Sequence, residues 1–399
     1  MQRLLVAAAL AVFAAVGAAA LLLALHGGSG TASAAERAAP LTVTSHLPGW
    51  RAPGAPVSVS GFAGGETRVQ LRANGRVVAS AVSGRLGAYT LRFVTKAPGR
   101  LRLVVTDGTR SRPAGTLVVR RVQLDAVGDI TFGEEVGPAI ASHGGAYPWT
   151  FVAPTLRAAD ITTGNLETSV STRGAAAVKE YTFRGEPDDL PALRDLAGFD
   201  VLTLANNHAV DYGRDALLDT LRFAHADGLQ TIGAGANEAQ ARRPALVEAG
   251  GLKIAFLGYS DVNPLNFNAT ATSAGTARAD LDAIAEDVHA ALRRADVAVC
   301  FFHWGVELHP DPDSRQQVFA SACLNAGAAL VLGAHPHVLG PVTRPGPRSL
   351  VAWTLGNFVF PSSGATARTA ILHVELDRSG VRGYRLQPVT IEGFRPHPD

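Results

Sequence analysis

The sequence predicts an open α/β domain preceded by a small β-sandwich, and three observations carry that expectation. Between residues 41 and 120 apolar and polar side chains alternate, as in Val57-Ser58-Val59-Ser60, the period of strands with one buried face. From residue 121 onward short apolar runs alternate with helical patterns, the arrangement of an α/β layer structure. Several of those runs end abruptly in Asp, Asn, Glu or His, and the carboxyl ends of strands in an open α/β sheet converge on one edge.

In chain order, residues 1–26 come first. Met1 to Arg3 carries one positive side chain, and Leu4 to Leu25 then runs without a charge. At about 1.5 Å per residue that run is long enough to cross a hydrocarbon core. Ala32-Ser33-Ala34 follows, a pattern a signal peptidase can cut. The length of the run favours an uncleaved anchor over a cleaved signal, whose apolar region spans only about 7–15 residues. Either way the remainder is expected outside the cytoplasm, held on the extracellular face of the membrane or secreted. Residues 27–40, rich in Gly, Ser and Ala, form a linker.

Residues 41–120 continue the alternation in Thr67-Arg68-Val69-Gln70-Leu71-Arg72 and Tyr89-Thr90-Leu91-Arg92-Phe93, with hairpin signals at Asn74-Gly75 and Asp107-Gly108. This stretch resembles bacterial immunoglobulin-like modules. It holds almost no candidate catalytic side chain, so a spacer is expected ahead of a binding module.

Within 121–399, the segment from Arg214 to Ala226 places Leu217, Leu218, Leu221 and Ala224 on one helical face and stops at Gly228, a good C-cap. Leu281 to Arg294 and Ser314 to Ala326 behave similarly. His225 and His289, on these helices, are expected to be solvated or satisfied rather than functional.

Composition narrows the function. With 47% hydrophobic and 18% charged residues the chain is globular, and 399 residues can hold roughly two or three domains. A net charge of +2 and no basic run give no nucleic-acid partner. Two cysteines, Cys300 and Cys323, exclude a Cys-rich zinc site. Two buried small hydrophobes are the preferred reading; a single disulfide is open in an exported protein.

The polar strand ends carry the chemistry. Asp129 follows Gly128, a glycine expected to let the backbone turn tightly there. Asn165 and Glu167 flank Leu166, so both can face a site if Leu166 is buried. Asn206-Asn207-His208 ends another run, and buried amides and imidazoles are costly unless satisfied. His303 and Glu307 follow the run through Phe302. His335 and His337 follow Gly333-Ala334, with Pro336 fixing the backbone between two imidazoles. Oxygen and imidazole donors together suit a hard-to-borderline divalent ion, with Mn, Zn, Fe and Mg not distinguished. Common coordination requires the imidazoles of His303, His335 and His337 to lie within about 10 Å of one another.

These motifs, with Tyr181-Thr182-Phe183-Arg184, Gly233-Ala234-Gly235 and Leu355-Gly356-Asn357-Phe358, occur in an order that resembles the CapA family of capsule synthesis proteins, also described as poly-γ-glutamate synthesis proteins. That family is related to calcineurin-like metallophosphoesterases. The resemblance spans residues 122–392 and implies a four-layer α/β/β/α sandwich with a metal site at one sheet edge. It makes Asp129 the first metal ligand, places Asn165 where phosphoesterases have a bridging aspartate, and makes Asn207 an amide ligand. It gives His303, His335 and His337 as imidazole ligands and His208 as the histidine beside the scissile group. Two departures follow. Thr131 stands where phosphoesterases have a histidine, and a neutral Asn165 bridges two cations poorly unless Glu167 takes that role. One tight ion, or two unequal ones, is expected.

If the site turns over, His208 protonates a leaving group while Asp211 orients its ring. Arg184 is a candidate clamp for carboxylate or phosphate oxygens, and Glu307 a candidate to hold a ligand histidine. The resemblance implies a cell-surface protein of capsule or poly-γ-glutamate biosynthesis, with a hydrolase-like or transferase-like site. Its expected partners are an anionic polymer, the membrane and a membrane synthase complex. Two alternatives stay open: a polymer-binding or export component with a structural metal site, and a secreted metallophosphoesterase.

Overall fold

The computed structural model describes residues 40–399, which fall into two compact units. The expected anchor or signal, 1–26, and residues 27–39 of the linker lie outside the described residues. Among the described residues no helix is long and apolar enough to cross a membrane.

The first unit takes in residues 40–47, Ser58–Leu91 and Arg102–Gly115; the second takes in Pro48–Val57, Arg92–Leu101 and Thr116–Asp399. In the first, Val59, Val69, Leu71, Leu91 and Leu103 are buried while their sequence neighbours are largely exposed, so the period of two is that of strands with one covered face. At Asn74-Gly75 both residues take positive φ, 48° and 83°, the hairpin geometry that lets Arg68–Ala73 and Arg76–Val82 pair antiparallel.

The second unit carries the polar strand ends. Its strands that reach the site are β1 (Val122–Ile130), β2 (Ile161–Leu166), β3 (Val201–Thr203), β4 (Val297–His303), β5 (Leu330–Ala334) and β6 (Asn357–Val359). Its longer helices are α1 (Arg214–Ala226), α2 (Leu281–Leu292) and α3 (Ser314–Asn325). One sheet runs Gln230–Ile232, β3, β2, β1, Arg368–Asp377, Gly380–Glu392, Arg395–Pro398, with β6 also paired to β1. The first four are parallel, and the rest of that path is antiparallel. The other sheet centres on Leu252–Ser260, β4, β5 and Leu350–Ala352, all parallel, with an antiparallel strand at each edge.

The apolar runs are continuous because both faces of these strands are covered. Val299 and Phe301 of β4 pack with Leu124 and Ala126 of β1 in one core between the sheets. Cys300 and Phe302, pointing the other way, pack with Ile284 and Val288 of α2 and Phe319 of α3. On the outer face of the first sheet, Leu202 packs with Leu217 and Ala224 of α1. Gly228, at φ 79°, follows α1 as expected, but Leu218 is exposed, and Ala216 and Thr220 complete the inner face instead. Cys300 and Cys323 form a disulfide, so the preferred reading of two unpaired thiols is corrected. The bridge ties β4, which ends in His303, to α3.

Gly128 has a different reason from the one expected. β1 does not turn there; it runs on to Ile130. A Cβ at Gly128 would lie 1.7 Å from the carbonyl oxygen of Gly356, which also accepts the Asp129 N–H at 2.9 Å. The glycine is needed for backbone approach beside the first polar strand end. Gly128→Ala is therefore expected to cost at least about 3 kcal/mol, measured by urea unfolding of the full chain; an unchanged midpoint would show that the two segments part freely.

Candidate metal centre

Asp129 sits at the centre of the convergence. Irregular register in both neighbouring strands sets Asn165 of β2 and Asn357 of β6 opposite it. β4 and β5, parallel in the other sheet, end in His303 and just before His335. Leu166 is fully buried, so Asn165 and Glu167 both face the site, as expected. Asp129, Asn165, Glu167 and His303 are completely buried, and His335 nearly so.

The distances bring these side chains into one cluster. The rings of His303 and His335 are 4.8 Å apart and those of His335 and His337 6.0 Å, within the limit the sequence reading required. Donor atoms of Asp129, Glu167 and His303 lie within 4.8 Å of one another, and so do those of Glu167, His335 and His337. Glu167 belongs to both groups. Its Oε1 and the Nδ1 of His335 are buried without a hydrogen-bond partner. Leaving a buried polar atom unpaired costs about 1–3 kcal/mol. His335 and His337 also take positive φ, 97° and 59°, a strain of order 1–3 kcal/mol each that clusters at ligand sites. A divalent cation fits this donor set, since it would partner both orphaned atoms with the oxygen and nitrogen ligands it prefers.

Electrostatics agree with that fit. Burial pushes Glu167 up to about 8, and Asp129 beside it adds to the rise. Burial pushes His303 down to about 3 and His335 well below the usual range. For His337 burial works against charge, but its contact with Asp129 and the nearby Glu167 outweigh it and raise the imidazole to about 10. Burial also works to raise Asp129, and the His337 hydrogen bond holds it low instead. Without a cation, the His337 imidazolium balances the Asp129 carboxylate while Glu167 keeps its proton near neutral pH.

Beside the cluster stands an oriented histidine. His208 Nδ1 is 2.7 Å from Asp211 Oδ2, and its Nε2 faces the cluster 3.9 Å from Glu167 Oε1. Phe183 stacks on the ring at 3.9 Å, and the Phe183 N–H donates to Asp211. Lys179, which sequence reading missed, donates to Asp211 Oδ1 and to the carbonyl of Asn207, both at 2.7 Å. It lies in an irregular segment with no periodicity to mark it. Asn357, the first residue of β6, was missed as a site residue although it belongs to the Leu355-Gly356-Asn357-Phe358 motif; its Oδ1 is 2.8 Å from His337 Nδ1.

Other expectations meet different surroundings. Asn207 is half-buried, with Oδ1 2.7 Å from His303 Nε2. Asn165 turns its amine, not its oxygen, toward Asp129 and Glu167, at 2.7 and 3.3 Å. Thr131 Oγ1 accepts the Gly133 N–H and so closes a turn. Arg184 donates to the carbonyls of Arg173 and Gly174 and lies over the Tyr212 ring, contacts that hold a loop. Glu307 is corrected: positive φ at Gly305 and Leu308 carries the segment outward, and Glu307 is exposed instead of holding a ligand histidine. Asn165, Asn207 and Asn357 contact the histidines in its place.

Residues 123–362 match a family model described as bacterial capsule synthesis protein PGA_cap. The chain is 33% identical to the PGA biosynthesis protein CapA of Bacillus subtilis over 68% of its own length and 72% of that protein's. It is 31% identical to the capsule biosynthesis protein CapA of Bacillus anthracis, over 70% and 69% of the two lengths. Among solved structures, the 5'-nucleotidase precursor from Thermus thermophilus is similar at 13% identity, over 70% of this chain and 56% of that one, with a TM-score of 0.43.

Proposed function

The chain belongs to the bacterial capsule synthesis family PGA_cap, and from that premise we propose that it serves synthesis of an anionic capsule polymer such as poly-γ-glutamate, through a divalent-metal site at the strand ends of a metallophosphoesterase-like sandwich. The observation that carries the metal reading is the pair of buried, unpartnered donor atoms, Glu167 Oε1 and His335 Nδ1, within a set of carboxylates and imidazoles. The proposed location is the outer face of the membrane. Residues 1–26 would hold the chain there, the first unit would act as an immunoglobulin-like spacer, and a membrane synthase would be the partner.

When bound, a divalent cation supplies Lewis-acid polarisation of a substrate oxygen. The chain's own residues do the rest. Asp211 accepts from His208 Nδ1, which leaves Nε2 as the atom that handles a proton at the mouth of the cluster. Phe183 and Lys179 fix that pair from two sides. Such a site suits hydrolysis or transfer at an acyl or phosphoryl bond, with the proton delivered to the leaving group.

The test is His208→Ala in the full chain. Metal content should be retained while polymer formation by a strain lacking the native copy falls, in line with a loss of about 100-fold or more in the chemical step. Polymer at the wild-type level with metal retained would remove His208 from the chemistry and favour a binding or export role.

A further inference from the structure

The amide orientations around Asn165 decide how many ions the centre takes. Asn206 is fully buried, and its orientation is fixed by backbone partners that cannot be exchanged: its Oδ1 accepts the His208 N–H at 3.1 Å, and its Nδ2 donates to the Leu166 carbonyl at 2.8 Å. Turning that amide over would set oxygen against oxygen and amine against amine. The second Nδ2 hydrogen therefore points at Asn165, 3.0 Å away, and requires an acceptor, so Asn165 presents Oδ1 there. Its amine is left facing Asp129 Oδ1 at 2.7 Å, Glu167 Oε2 at 3.3 Å and His303 Nδ1 at 3.2 Å.

That amine touches every member of one of the two donor groups. An amide nitrogen has no lone pair to give a metal, and its two N–H hydrogens, one directed at Asp129 Oδ1 and the other at His303 Nδ1 with Glu167 Oε2 beside it, occupy the electrostatic place of a cation. His303 follows from it. With a donor against Nδ1, the neutral ring carries its proton on Nε2, which is 2.7 Å from Asn207 Oδ1 and donates to it. Neither nitrogen of His303 is then free for a metal, and Asn207 Oδ1 is engaged as well. The remaining group, Glu167 with His335 and His337, contains both orphaned atoms.

Resting on the metal reading above, we propose that Asn165, locked by Asn206, makes this a one-ion centre: a single divalent cation held by Glu167, His335 and His337, with His303 and Asn207 kept as a hydrogen-bonded pair beside it. Asp at position 165 would undo both restraints. A carboxylate there offers ligand oxygens, and it accepts a proton on His303 Nδ1, which frees Nε2 and Asn207 Oδ1 to coordinate.

Full-length metal-free protein titrated with Mn2+ tests this. Wild type should bind one ion per chain, with the electron paramagnetic resonance spectrum of an isolated Mn2+, and Asn165→Asp should bind two, with a spin-coupled spectrum. His303→Gln guards against a misfolded Asp variant: it should keep one ion with less than about a threefold change in affinity, whereas His335→Ala should take none. Two coupled ions in the wild type, a single ion in folded Asn165→Asp, or loss of the ion in His303→Gln would overturn the proposal. A wild-type chain that binds no Mn2+, Zn2+, Fe2+ or Mg2+ would instead remove the metal reading on which it rests.

Discussion

Glu167→Gln is expected to abolish metal loading and, at the same time, to make the metal-free chain more stable. Glu167 is the one carboxylate common to both donor groups, and its Oε1 lies 3.4 Å from His303 Nε2 and 3.9 Å from His208 Nε2. Losing outer-shell partners of a metal already weakens binding about 10–100-fold, so removing this charge from the shell itself should weaken it by at least about 100-fold. Stability moves the other way. The carboxylate is completely buried, faces Asp129 and leaves Oε1 unpaired. An amide there removes the like-charge contact with Asp129 and can place an N–H donor where the orphaned oxygen stood, a gain of about 1–3 kcal/mol, and each kcal/mol moves Tm by about 2–4 °C in a large domain. Calorimetric titration with Mn2+ and a thermal melt of the metal-free form check the two halves separately. Wild-type affinity in the glutamine variant would strike Glu167 from the site, and a lowered melt would show that its carboxylate has a partner in the fold.

The same residue shows how far the sequence could be read. Glu167 could be placed because Leu166 is apolar between two polar neighbours and ends a buried run, so period two predicts where its neighbours face. Asp129, His303 and His335 could be placed because each stands at or just beyond the end of an apolar run, in strands that the facing sheet covers on one side and a helical layer on the other. The four-layer order could not be read from periodicity, because strands buried on both faces show no alternation that tells an inner face from an outer one. It came from the resemblance, and Val299 and Cys300 fall in different cores only once the partner layers are seen. Glu307 was a candidate to hold a ligand histidine because it follows His303 beyond the same apolar run. Two positive-φ residues, Gly305 and Leu308, turn the segment away, and a leucine in that conformation leaves no mark in the sequence. The role of Asn206 was hidden because it depends on which backbone groups meet its amide.

Titration of the centre gives the last expected result. In the metal-free chain, His303 and His335 are held neutral below their ordinary value of 6.5, so the unfolded chain binds more protons there and stability rises with pH up to about 6.5. Glu167, raised from 4.5 to about 8, and His337, raised from 6.5 to about 10, act oppositely. Each binds its proton more tightly when folded, so the stability each contributes is present below its unfolded value and lost as pH rises through the folded one. Between 4.5 and 6.5 two histidines oppose one carboxyl and the net slope is upward; above 6.5 both raised groups pull downward, Glu167 until about 8 and His337 until about 10. The melting temperature should therefore peak near pH 6.5 and decline on the alkaline side, and His337→Asn should flatten that decline. Loading a cation must expel the protons that Glu167 and His337 hold, because ligands bind as carboxylate and neutral imidazole. At about pH 7 calorimetry in buffers of different ionisation enthalpy should register release of roughly one to two protons per ion, falling toward about one at about pH 9, where Glu167 has already ionised. With the cation in place of those protons, the loaded chain should hold its melting temperature above about pH 6.5. Metal uptake near neutral pH without proton release would mean that the buried carboxylate and imidazole are not the groups that receive the ion.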